Sequence, residues 1–350
     1  MNSLFLEYET FIYKLQEVSG FIDNVSKKSD VYDKILELSI DKDIVSKINY
    51  LKNLPNLTVQ YNAIIISLYG AFENYIDSIT KAYLDLIFSN ENKIGKMCPN
   101  IRDRYKSKLG EFLTNPNRFP MDLVEEKEIE SYSKFVDKKY VEANKDFIIS
   151  HPSNMHISVL RELLKTIGVD DFNRIYSYDN VKSYFLNYMD EKEYAKKKSR
   201  NDSLFDDYEK FIESRNLVAH GKEISDRISV NEIITKIIPL LEAISMGVLE
   251  MCVESYVKAI LDEYKIEKSL IKVYNDNICC FNCADVSFKE KDILFIKNED
   301  RINFVTIESI EIEHKRIPEI KSLNVNVGIK INGKINSNSK LVFLKNLNYW

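Results

Sequence analysis

Glycine and proline are scarce in this chain, nine and seven among 350 residues. So few turn formers and helix breakers exclude a turn-rich all-β protein and point to long helices. Cysteine is scarce too: Cys98, Cys252, Cys279, Cys280 and Cys283 make an odd count, clumped toward one end. That is no disulfide framework, and a reducing cytoplasm is the expected compartment. The opening residues MNSLFLEYETFIYKLQ carry acids early and lack a basic stretch followed by an apolar core, so no signal peptide is expected. The most apolar stretch, Ile233 to Val253, contains Lys236, Pro239, Glu242 and Glu250, which suits a buried helix rather than a membrane span. A Walker loop, a GxGxxG turn, the paired carboxylates of metal nucleases and a nucleophile elbow are missing as well. No metal and no cofactor is expected.

What remains is an ordinary globular composition, 45% apolar and 29% charged, in a chain long enough for two domains. The net charge of −5 argues against a globally basic nucleic-acid coat but leaves local patches open. Residues 1 to about 264 read as helical. NAIIISLYGAFENYIDSITKAYLDLIF (62–88) keeps Ile65, Leu68, Phe72, Tyr75, Ile76, Ile79, Tyr83 and Leu86 at helical spacing. Further helices are predicted from Ser3 to Ile22, over 157–168, over 203–221 with Ser203 and Asp206 as a capping pattern, and over about 230–264. After Lys265 the runs LIKVYN, DILFIKN, NFVTIESIEIE, LNVNVGIKING and KLVFLKN are short and β-branched, with Asn-Asp, Glu-Asp and Asn-Gly turns between them. The expected architecture is α+β and multidomain: an N-terminal all-α helical bundle over 1–265, then a small β-barrel over 266–350.

The stretch FIESRNLVAHGKE (211–223) carries the chemistry. On a helical wheel Leu204, Tyr208, Phe211, Ile212, Val218 and Ala219 share one stripe, and Arg215 falls near its middle. Asn216 lies about 100° round from Arg215 and His220 about 140°. A charge on a buried stripe is costly unless it is paired or the stripe meets a site. Arginine supplies a permanent fork for phosphate, and histidine moves protons near neutral pH. Together they are a minimal kit for cleaving RNA without metal: a base for the ribose 2′-hydroxyl and a cation for the phosphorus centre. Two groups this far round one helix hardly finish the task from a single chain, whereas a two-fold interface joining two such helices would. The alternative is a core arginine paired with a carboxylate, with His220 capping the helix before Gly221.

The string Arg215-Asn216-Leu217-Val218-Ala219-His220 matches the R-N-x-x-x-H pattern of the HEPN superfamily of helical-bundle ribonucleases. SLYGAFENYIDSI (67–79) and HPSNMHISVLRELLKTIGVDDF (151–172) resemble its bacterial defence-type branch in order and spacing, a likeness that covers roughly residues 55–265. The resemblance implies that Arg215 and His220 are catalytic and that Asn216 supports them, with Glu73 as the accessory polar residue from an earlier helix. It implies metal-independent cleavage giving a 2′,3′-cyclic phosphate, a homodimer or higher homo-oligomer, and a setting of antiphage defence, abortive infection or toxin–antitoxin. Restraint by an antitoxin, a regulatory protein or a phage-encoded trigger is expected with it. The alternative within the same fold is a non-catalytic dimerising module that binds RNA or senses a phage protein.

The segment 290–333, with VTIESIEI and VNVGIKI, is similar to the second, β-barrel domain of translational GTPases such as elongation factor Tu, which implies either a barrel that delivers tRNA or another component of translation to the nuclease domain or a mimic that senses an invader's protein. From residue 315 onward seven lysines and arginines (Lys315, Arg316, Lys321, Lys330, Lys334, Lys340, Lys345) face the single acid Glu319. Lys196, Lys197, Lys198 and Arg200, read as a solvated loop, together with Lys222, Lys315 and Arg316, are the candidate RNA contacts. Cys280 and Cys283, with His314 as a distant third ligand, form half a zinc site at most, and buried strand cysteines are the better reading. His151 and His156 flank a helix start and read as loop and cap residues.

Overall fold

The computed structural model describes residues 1–38, 41–52, 56–89, 100–119, 123–151, 154–199, 203–222, 227–299, 301–321 and 323–344. Cys98, Arg200 and Lys345 lie outside them. Two compact units separate within these residues. One takes in 3–85 and 100–249; the other holds the chain from Glu250 onward with short pieces at 1–2 and 86–89.

The helical unit is organised by α3 (Asn56–Phe88), whose apolar residues recur often enough to be covered on several sides. Ile65, Leu68, Phe72, Ile76, Ile79 and Tyr83 are all fully buried. Against it lies α1 (Asn2–Leu38), which buries Leu4, Phe11, Leu15 and Ile22 at intervals of seven, four and seven. Phe11 meets Phe72 edge-on at 6.2 Å and Tyr75 at 4.9 Å. This helix runs sixteen residues past the expected end at Ile22, through a polar stretch with little periodicity. There a Lys27–Asp23 pair at 2.7 Å, one turn apart, supports it locally.

After α2 (Lys42–Lys52) and α3 come α4 (Ile101–Thr114), α5 (Glu125–Val136), α6 (Lys145–Ile149), α7 (Ile157–Thr166), α8 (Asp179–Leu186), α9 (Glu191–Lys198) and α10 (Asp206–Ala219). The last long helix, α11 (Ile238–Tyr264), follows a turn at Val230–Glu232 and a π-helical stretch at Ile233–Ile237. Ser229 caps that start with a capping box to Glu232. Within the unit, Tyr75 donates to the Ser245 carbonyl of α11 at 2.6 Å. Gly247 admits the α8 region closely, since a Cβ there would meet Ile175 Cγ1 at 2.6 Å.

Strands begin at Lys265: β1 (Lys265–Ser269), β2 (Lys272–Tyr274), β3 (Ile278–Asn282), β4 (Ser287–Lys289), β5 (Ile293–Asn298), β6 (Arg301–Ile312), β7 (Lys315–Ile317), β8 (Glu319–Lys321), β9 (Asn326–Ile331) and β10 (Lys340–Leu344). An antiparallel sheet runs β1-β10-β5-β6-β9-β3-β2, with β7 added to β6 and a separate β4-β8 pair. The twelve-residue β6 pairs with β5 through its first half and with β9 through its second, bending at a bulge between Ile307 and Ser309. Its bend curls the sheet into a half-barrel around Cys279, Phe281, Ile296, Ile310, Ile329 and Leu341. The edge strands β1 and β2 are joined by only two residues, Leu270 and Ile271, so the chain itself and not a ladder brings the edges together. Asn275 and Asp276 both take positive φ, 49° and 57°, as the expected Asn-Asp turn between β2 and β3 requires. Among the described residues no helix is long and apolar enough to cross a membrane.

Candidate active site

Helix α10 sets the site. Three acids in its first turn, Asp206, Asp207 and Glu209, suit the positive end of the helix dipole. The expected Ser203–Asp206 cap is not formed. Residues 203–205 make a 3₁₀ turn, which leaves Phe205 at the cap position with no side-chain bond and Ser203 out of register. At the other end Gly221 N–H donates to the Val218 carbonyl and Lys222 N–H to that of Leu217, both at 3.0 Å. This is the Schellman arrangement, and Gly221 supplies its positive φ of 63°. His220 is thereby fixed as the last cap residue of α10, about 7.5 Å along the axis from Arg215.

The apolar stripe is real but tapers. Leu204, Tyr208, Phe211 and Ile212 are buried, Val218 is half-buried, and Ala219 is exposed, contrary to expectation, because exposure rises steadily over the last turn. Arg215 sits half-buried where the stripe gives way. Its guanidinium lies over the Tyr69 ring, 4.3 Å from the centroid. Nη1 donates to Asn154 Oδ1 at 2.7 Å and, more weakly, to Asn216 Oδ1 at 3.4 Å. Asn154 Nδ2 closes the triangle by donating to Asn216 Oδ1 at 2.6 Å. Among the described residues no carboxylate pairs with Arg215. The alternative of a core arginine neutralised by an acid does not hold: its partners are two amides and a ring face. One chain thus supplies Arg215 with neutral partners but with no counter-charge among the described residues.

Glu73 enters one step back. Tyr69, buried in α3, donates to Glu73 Oε1 at 2.5 Å and accepts the Met155 N–H at 3.0 Å. Burial first, then the bond to Glu73, pushes the phenol well above its ordinary pKa, so it stays protonated. The same segment is tied to α10 further along. Tyr208 donates to the Met155 carbonyl, His156 Nδ1 meets Glu209 Oε2 at 2.5 Å, and Ile157 N–H donates to Glu209 Oε1 at 2.9 Å. His156 occupies the cap position of α7, and His151 lies 3.6 Å from Asp77, in keeping with loop and cap roles. His220 is exposed and its ring makes no hydrogen bond among the described residues.

Sequence reasoning missed Asn154, Tyr69 and Glu209. Asn154 stands inside the quoted HPSNMH string and Tyr69 one turn before Glu73, but nothing in their spacing marks them as neighbours of Arg215. Two clefts of about 420 and 560 Å³ open elsewhere on this unit, and neither is lined by Arg215, Asn216 or His220. The site is a surface niche.

The basic candidates are placed differently from expectation. Lys196, Lys197 and Lys198 form the last turn of α9 rather than a loop, a position that suits cations at the negative helix end, and Lys197 pairs with Glu193 at 3.4 Å. Lys222 is exposed just beyond the Gly221 turn. In the half-barrel, Arg316 makes a two-pronged bond to Glu290 at 2.7 and 3.0 Å. Lys321, Lys330 and Lys340 pair with Glu319, Glu308 and Glu267. The basic strip of the sequence is therefore largely neutralised by acids, most of them on earlier strands. Lys315 and Lys334 make no ion pair among the described residues. Cys279 and Cys283 are buried, Cys283 Sγ donates to the Leu323 carbonyl at 3.0 Å, and His314 is exposed in the turn after β6.

A family model described as RiboL-PSP-HEPN matches residues 29–245, which holds α10, Tyr69, Glu73 and Asn154. Comparison with curated proteins and with solved structures finds no match.

Proposed function

The chain belongs to the RiboL-PSP-HEPN family, and from that premise we propose that it is an endoribonuclease that needs no metal ion. The observation that carries this reading is the Arg215 guanidinium, charged, uncancelled by any carboxylate among the described residues, and one turn and a half from the exposed imidazole of His220. His220 acts as general base or general acid, taking the proton from a ribose 2′-hydroxyl or giving one to the leaving oxygen. The 2′-oxygen then bonds to phosphorus as the bond to the 5′-oxygen breaks and a proton passes to that oxygen from His220 or water, leaving a 2′,3′-cyclic phosphate and a 5′-hydroxyl. Arg215 binds the phosphate and stabilises the charge that builds on it, with Asn216 steadying the arginine. A homodimer that faces two α10 helices would complete the site from both chains. The setting we propose is antiphage defence or toxin–antitoxin growth arrest, with tRNA as the first substrate to examine. Lys222, Lys196 and Lys198 would approach the RNA backbone, and Lys315 and Lys334, which make no ion pair among the described residues, would do so from the half-barrel.

A second reading is a dimerising RNA-binding or sensor module without catalysis. What favours it is that, among the described residues, no hydrogen bond orients the His220 ring. Sequencing of RNA 5′-hydroxyl ends separates the two, in cells expressing wild type, Arg215→Ala or His220→Ala. New discrete ends in wild type alone support the nuclease; no ends in any of the three, also under phage infection, would leave the binding module.

A further inference from the structure

The niche around Arg215 is built mainly by residues outside the R-N-x-x-x-H string. We infer that Asn154 is a positioning residue: its side-chain amide holds the guanidinium over the Tyr69 ring so that one edge is left to receive a phosphate. The inference rests on the ribonuclease reading of the same site.

Arginine presents five coplanar N–H donors. Here Nη1 is committed to Asn154 and Asn216, Nε is buried without a hydrogen bond, and the guanidinium carbon lies 4.3 Å from the centre of the Tyr69 ring. Nη2 makes no hydrogen bond among the described residues, so it is the edge left for a ligand. A guanidinium held in place before substrate arrives gives up little freedom on binding and needs no rearrangement as charge builds on phosphorus.

A purely structural role for Asn154 would be to fasten the segment before α7 onto its neighbours. That fastening is already made four times over without it, by Met155 to Tyr69 and to Tyr208, and by His156 and Ile157 to Glu209. The neutral amide also matters chemically. An aspartate at 154 would grip the arginine harder but cancel the charge the phosphate needs, and would lose the donor to Asn216. Structure and function therefore predict opposite effects for one substitution.

The test uses the full chain as wild type, Asn154→Ala and Asn154→Asp, with kcat at saturating RNA, thermal unfolding, and arginine-labelled NMR of the Arg215 side chain. Both variants are expected to melt within a few degrees of wild type while kcat falls about 10- to 100-fold. Asp is expected to be at least as inactive as Ala although it melts no lower. The Arg215 Nη signals, separate in wild type, should average in Asn154→Ala as the group rotates freely. Wild-type kcat in either variant, or Arg215 signals unchanged in Asn154→Ala, overturns the inference. Should wild type itself not cleave RNA, the nuclease reading fails; the NMR comparison, with affinity for uncleavable 2′-O-methyl RNA, then decides the positioning role by itself.

Discussion

The guanidinium carbon of Arg215 stands 4.3 Å from the centre of the Tyr69 ring, and among the described residues no carboxylate cancels its charge. Three other arginines are treated differently: Arg104 reaches Glu162 at 3.6 Å, Arg174 reaches Asp171 at 3.3 Å, and Arg316 is gripped by Glu290. A half-buried charge with only amides and a π face for company is expensive unless an anion completes it. Replacing Arg215 by lysine keeps the charge but removes the planar fork and the stacking match. The expected outcome is loss of cleavage by a factor of about 100 or more. The melting temperature should move little, since a partly exposed cation–π contact contributes about 0.5–2 kcal/mol. Equal cleavage by Arg215→Lys would sink the phosphate-clamp role.

Tyr69 does two things at once, and a pair of substitutions separates them. Tyr69→Phe keeps the ring under Arg215 but leaves the Met155 N–H without its acceptor. An unsatisfied buried donor costs about 1–3 kcal/mol, so this variant should melt lower and still cleave. Tyr69→Leu removes the ring face as well and should lose cleavage more than the phenylalanine variant. If the two variants cleave equally, the ring is not the platform for the arginine.

The same phenol predicts an alkaline limb. Tyr69 and Tyr208 both titrate well above their ordinary value in the folded state, chiefly because burial opposes the phenolate. Groups whose folded pKa is raised contribute stability that is fully present below the unfolded value of about 10 and is lost as pH rises through and beyond it. The melting temperature should therefore hold steady up to about pH 9 and fall above about 10. Tyr69→Phe removes one such group, and its alkaline fall should be shallower; an identical slope in both proteins would refute the assignment.

How much of this was legible follows the range of the interactions. The R-N-x-x-x-H string and the 3.6-residue periodicity of α3 are local, and both survive in the structure: α3 is the buried centre of its unit and Arg215 lies on the margin of the α10 stripe. Glu73 is named through the resemblance alone; the structure places it behind Tyr69, whose hydroxyl donates to it. Asn154 sits 61 residues from Arg215, and Tyr69 meets Met155 across 86, so their pairing has no local trace. The basic strip misled for the same reason. A count along residues 315–350 sees Glu319 alone, whereas Glu267, Glu290 and Glu308 come from elsewhere in the chain. Strands β4, β7 and β8 are three residues each, too short for alternation to register.

One of those carboxylates carries an acid-side prediction. Hydrogen bonds from Lys297 and then Lys340, with Lys265 nearby, hold the Glu267 carboxyl down to about 2. A depressed folded pKa contributes stability that is present above the unfolded value, near 4.3, and is lost as pH falls through it toward 2. Glu267→Gln should melt lower than wild type at pH 7, and the two melting curves should converge as the pH is lowered from about 5 toward 2. Parallel curves across that range would show that the lysine cluster does not govern the half-barrel's acid response.

Gly221 ties the backbone geometry to the chemistry. Its φ of 63° lets the Lys222 N–H turn back to the Leu217 carbonyl, and this closing turn fixes where His220 leaves the helix. A Cβ at 221 would meet nothing within 4 Å, so Gly221→Ala introduces no clash. Its cost is the left-handed backbone alone, about 1–2 kcal/mol for a residue with a Cβ. Asparagine tolerates that conformation better and should recover part of the loss. If His220 acts on the 2′-hydroxyl, cleavage should fall further in Gly221→Ala than the shift in melting temperature explains, and Gly221→Asn should restore it in part. Cleavage that stays at wild-type level while stability drops would mean that the cap supports the helix and leaves the imidazole's position to other forces.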